Sequence, residues 1–112
     1  MGKMKIRSKI WLDIDGQPVF SEGRGALLKA IDKYGSINQA AKKIGITYRR
    51  AWSYIKAMED RMGVVFVERH VGGRRGGGAK LTSAARDFLH KYERLERGIN
   101  RIMDKRFQKI FE

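Results

Sequence analysis

Two short amphipathic segments parted by one glycine, a glycine-rich stretch between two β-prone runs, and a long C-terminal heptad pattern predict a mainly α fold with a small β component. The expected arrangement is a winged helix-turn-helix with an N-terminal β-hairpin and a long C-terminal dimerisation helix. Residues 1–82 are expected to form the winged domain and residues 83–112 the dimerisation helix. A chain of 112 residues with 42% hydrophobic content has material for one modest core.

Residues 5–20 read as the hairpin. Ile6, Ile10, Leu12 and Ile14 share one parity, as a half-buried strand requires, and Trp11 falls on the other. Asp15 and Gly16 supply the turn, and Pro18, Val19 and Phe20 begin the return strand. Residues 25–34 then fit a helix with Leu27, Leu28, Ile31 and Tyr34 inward, and Gly35 stops it. Ser36 followed by Gln39 is a capping box opening a second helix, with Ile37, Ala40, Ala41 and Ile44 on its inner face. Gly45 ends that helix, Ile46 plugs the turn, and Thr47 caps a third helix over residues 47–62.

At 100° per residue, Tyr48, Ala51, Ile55, Met58 and Met62 of the third helix form one apolar stripe. Arg49, Ser53, Lys56 and Asp60 lie opposite, with Arg50 and Ala57 on the shoulder. Trp52 flanks the stripe and reads as core, while Glu59 and Asp60 read as surface groups. Gly63 terminates the helix. Strands over residues 64–69 and 79–82, joined by a glycine-rich tip at residues 72–78 carrying Arg74 and Arg75, form the wing. The last helix can run from Ser83 to residue 111, about 43 Å at 1.5 Å per residue. Ala85, Phe88, Tyr92, Leu95, Ile99 and Ile102 make its seam, continued by Met103, Phe107 and Ile110, with Gly98 as the weak point.

The charge narrows the function. Twenty-five Lys and Arg against twelve Asp and Glu leave +13, and residues 42–82 hold ten of those cations against three acids. Such clustering points to a polyanionic partner, nucleic acid before a membrane surface. With no cysteine and only His70 and His90, thiol catalysis, disulfides and a metal cage are not expected. No apolar run approaches the length that spans a bilayer. Lys3, Lys5, Arg7 and Lys9 imitate a signal-peptide head, but Asp13 and Asp15 interrupt its apolar core, so a cytoplasmic protein is expected. The glycine run lacks the order of a phosphate-binding loop, and no nucleophile–base pair is visible, so neither catalysis nor a cofactor is expected.

A helix between two others, cationic on its outer side, suits the DNA major groove, where residues near its start reach base edges. The candidates are Thr47, Tyr48, Arg49, Arg50 and Ser53, with Arg49 or Arg50 on a guanine and Lys56 on phosphate. Ser36, Asn38 and Gln39, at a helix N-terminus, suit a phosphate. Arg74 and Arg75 suit the adjacent backbone or minor groove.

The run Gly35-Ser36-Ile37-Asn38-Gln39-Ala40-Ala41, then Gly45-Ile46-Thr47-Tyr48-Arg49-Arg50-Ala51-Trp52, resembles the helix-turn-helix of the molybdate-responsive regulators, the ModE family. Val67-Glu68-Arg69 and the glycine-rich stretch before Thr82 are similar to that family's wing. The LysR-type regulators, with their Ala-Ala helix and a Leu-Thr like Leu81-Thr82, are a more distant likeness. The resemblance implies transcription regulation by a homodimer on a palindromic double-stranded operator, paired through Phe88, Tyr92, Leu95, Ile99 and Ile102. Molybdate-sensing members carry oxyanion-binding domains after this part. The chain ends at Glu112, so ligand sensing is expected either to be absent from this chain or to reside in a separate partner protein. The alternative is an RNA-binding or ribosome-associated winged-helix module.

Overall fold

Caps and glycines set the helix boundaries through contacts three to five residues long. In the computed structural model, which describes residues 2–70 and 78–112, α1 spans Glu22–Tyr34, α2 Ile37–Ile44 and α3 Tyr48–Met62. Ser36 Oγ accepts from the Gln39 amide at 3.2 Å and Thr47 Oγ1 from the Arg50 amide at 3.1 Å, each satisfying an orphan donor of the first turn. Only half of the expected capping box forms, because the Gln39 side chain makes no return bond to Ser36 among the described residues. Gly45 stands at φ 80°, where a residue with a Cβ is strained, and its amide reaches back into α2. The chain therefore turns within three residues, and half-buried Ile46 plugs the turn, its amide donating to the Ala41 carbonyl at 3.0 Å.

Two antiparallel hairpins flank the helices. β1, Leu12–Ile14, pairs with β2, Gln17–Phe20, across an Asp15-Gly16 turn with φ 52° and 77°. β3, Val67–His70, pairs with β4, Gly78–Leu81, setting Val67 opposite Leu81 and His70 opposite Gly78. β4 docks on α1's end through an Ala79 amide to Gly35 carbonyl bond of 2.9 Å. A Cβ on Gly78 would lie 3.1 Å from that carbonyl oxygen, a tight contact that glycine avoids. α4, Ser83–Phe111, follows from the Thr82 cap and runs unbroken past Gly98.

The core joins Phe20 and Val19 of β2, Leu27, Leu28 and Ile31 of α1, Ala40 and Ala41 of α2, Ile55 and Met58 of α3, Phe66, Leu81, and Ala85, Leu89 and Tyr92 of α4. Phe20 meets Phe88 and Tyr92 edge-on at centroid distances of 4.9 and 4.8 Å, and Phe66 lies 5.7 Å from Phe88.

Four expectations need correction. The long first strand is absent: regular pairing starts at Leu12, and Ile6 and Ile14 are exposed. Residues 2–11 pair with no strand among the described residues. Ile10 carbonyl accepts from the Tyr92 hydroxyl at 2.8 Å and Ser8 Oγ bonds Asn100 Oδ1 at 3.0 Å, so this arm lies along α4. The first wing strand begins at Val67 rather than 64, because residues 64–66 form a connector tied down by other groups. Phe66 carbonyl accepts from the Thr82 amide, and Val65 carbonyl from the Thr82 hydroxyl. Residue 83 is not a packing boundary, since the first three turns of α4 belong to the core. Finally, Tyr92 is buried in its own subunit's core and half-buried Phe88 packs against that core, so their burial needs no second copy. Leu95 and Ile102, further out, are exposed, and Ile99 is half-buried. Among the described residues no helix is long and apolar enough to cross a membrane.

Candidate nucleic-acid interface

α3 is held on three sides and free on the fourth. Ala51, Ile55 and Met58 anchor it in the core. On one flank it meets the first hairpin: the Arg61 and Arg24 guanidiniums both donate to the Pro18 carbonyl, and Arg24 lies 5.0 Å over the Tyr54 ring. Burial, and then the neighbouring Arg61, lower the Arg24 pKa from its ordinary value, as expected for two cations sharing one neutral acceptor. On the other flank it meets the wing. Glu59 Oε2 accepts from the Phe66 amide at 2.8 Å and the Val67 amide at 3.2 Å. Arg69 Nη2 donates to the Tyr48 hydroxyl at 3.1 Å, and its guanidinium sits 4.6 Å over the Trp52 ring.

The free side carries Arg49, Arg50, Ser53 and Lys56, all exposed. Arg49 and Arg50 make no ion pair among the described residues, while Lys56 lies 3.6 Å from Asp60. Both members of that pair are largely solvated, so it does little to hold Lys56. The cationic side thus projects outward, as the sequence predicts. Thr47 is exposed at the helix start while its hydroxyl caps. Asn38 and Gln39 are exposed at the start of α2 beside half-buried Ser36, whose hydroxyl oxygen is engaged by the cap. Arg74 and Arg75 lie outside the described residues.

Three readings of side chains change. Tyr48 leaves the apolar stripe and is exposed, because Arg69 draws its hydroxyl toward the wing. Trp52 is half-buried: it packs against the core from its edge, and the Arg69 guanidinium also lies over its ring. Glu59 is a half-buried clamp rather than a surface group. The four-residue spacing of Tyr48 and Trp52 places them on one flank, but nothing local in the sequence pairs that flank with Arg69.

A tight-turned pair of helices, a two-stranded wing beside it and an outward cationic ridge define a winged helix-turn-helix domain. The chain belongs to the bacterial regulatory helix-turn-helix proteins of the LysR family, whose family model matches residues 26–86. It is 34% identical over all 112 residues to the "Molybdenum transport protein ModE" of Azotobacter vinelandii, covering 42% of that protein. It is 45% identical over 74 residues to the "Transcriptional regulator ModE" of Haemophilus influenzae, covering 66% of this chain and 29% of that one. Among solved structures, it resembles full-length CbnR complexed with its target DNA, with a TM-score of 0.55 and 26% identity over 73% of this chain and 27% of that chain. The chain therefore spans less than half the length of these relatives.

Proposed function

We propose that this chain is the double-stranded DNA-binding part of a sequence-specific transcription regulator acting as a homodimer. The observation that carries the reading is the α3 ridge, with Arg49, Arg50 and Ser53 exposed between two packed flanks. A helix so presented fits a major groove about 12 Å wide. Arg49 or Arg50 takes a guanine edge, Ser53, Thr47 and Tyr48 lie along the groove, and Lys56 meets phosphate. Ser36, Asn38 and Gln39 contact the backbone at the start of α2, and Arg74 and Arg75 reach the adjacent backbone or minor groove. The names of the relatives, a transcriptional regulator and a regulator bound to its target DNA, support DNA over RNA.

Leu95, Ile99 and Ile102, left over from the seam, pair two copies and set their α3 helices about one duplex turn, near 34 Å, apart. A separate effector-sensing protein is a further partner in this reading. In vitro selection from random duplexes yields the operator, and Arg50→Ala is then titrated at fixed salt. Specific affinity is expected to fall by about 5- to 150-fold, the worth of one bidentate base contact, with a much smaller loss on random DNA. Equal losses on both would refute base readout by Arg50, and RNA competing as well as the operator would refute the DNA reading.

A further inference from the structure

We propose that Trp52 forms the floor of a receptor for the 5-methyl group of thymine, which rests on the major-groove reading above. A shallow concavity on the free side of α3 is lined by Arg49, Trp52, Ser53 and Lys56, and its surface is almost entirely carbon. Such a spot is out of place on a cationic ridge. Half-buried Trp52 is the large apolar side chain of this lining, and exposed Arg49 and Lys56, three residues before it and four after, have alkyl stems long enough to flank it with their charged ends in water.

The rim chemistry restricts the occupant. Two cations beside an apolar dimple disfavour a purely apolar peptide and suit a group that is itself set in an anionic surface. In the major groove of unmodified DNA the thymine methyl is the apolar group on a base edge, flanked by phosphates and polar base atoms. The indole is also held in place beforehand. Arg69 stacks 4.6 Å from its centroid and is itself bonded to the Tyr48 hydroxyl at 3.1 Å. The wing therefore fixes the reading surface of the recognition helix, and little side-chain freedom is lost when the methyl arrives.

Thymine-to-uracil replacement removes that methyl and nothing else. Each thymine of the selected operator is replaced singly, and affinity is measured at fixed salt for the wild-type protein and for Trp52→Ala. At one thymine per half-site the wild type is expected to lose about fourfold, the worth of one buried methyl group. With Trp52→Ala the thymine and uracil operators are expected to bind alike. The wild-type scan depends on no variant: an operator indifferent to uracil at every position overturns the proposal. Discrimination that survives in Trp52→Ala, or in Trp52→Leu should the alanine protein fail to fold, overturns it as well. Failure of the DNA reading looks different, since no operator would then be selected.

Discussion

Glu59 provides the sharpest test of how the wing is attached. Its Oε2 accepts from two consecutive amides, Phe66 at 2.8 Å and Val67 at 3.2 Å, where the chain leaves α3 and enters β3. Glu59→Ala leaves both part-buried donors without a partner. A bond to a charged acceptor contributes about 1.5–3 kcal/mol, and water recovers part of that here, so a loss of about 2–4 kcal/mol is expected. Scaling the unfolding entropy of about 2.1 cal/mol/K per residue to a chain of this size gives about 4 °C per kcal/mol, hence a fall in Tm of about 8–16 °C. Glu59→Gln keeps one acceptor oxygen and is expected to lose about half as much. Circular dichroism melts at one fixed protein concentration read the stability, because association makes Tm depend on concentration. Amide hydrogen exchange at Phe66 and Val67 reads the contact itself. If Glu59→Ala melted within about 2 °C of wild type and both amides stayed protected, the clamp would be idle and the argument wrong.

Two further outcomes follow from α4. Leu95→Asp puts a charge into the exposed part of the seam, so light scattering is expected to report monomers, with weakened operator affinity; a persisting dimer would reject this surface. Burial, and then Glu96 and Glu22, push the Tyr92 phenol up from its ordinary 10 to about 12. The fold thus favours the protonated phenol, and that stabilisation is complete below pH 10 and disappears as pH rises through 12. Tyr92→Phe removes the donor to the Ile10 carbonyl, which is expected to cost about 1 kcal/mol at neutral pH. The variant is also expected to lose stability less steeply between pH 10 and 12, and parallel curves for the two proteins would contradict the assignment.

What could be read along the chain were features whose partners lie within a few residues. Ser36 and Thr47 cap amides three positions away, Gly35, Gly45 and Gly63 stop helices whose carbonyls are four back, and Ile46 fills the turn between them. These local bonds set the helix-turn-helix, and the apolar stripe of α3 turns Arg49, Arg50, Ser53 and Lys56 outward. Partners remote in sequence left no such trace. A heptad seam states that Phe88 and Tyr92 are buried, but not against what, and Phe20 and Phe66 claimed them within the subunit. Ile6 follows strand alternation, yet the segment before Leu12 found α4, through Ile10 with Tyr92 and Ser8 with Asn100, rather than a strand. Glu59, Tyr48 and Trp52 look like solvated or core positions on a helical wheel, which carries no knowledge of the wing folding back onto their flank. Periodicity tells which side of an element avoids water, whereas the choice among the surfaces able to cover it is made by the assembled chain.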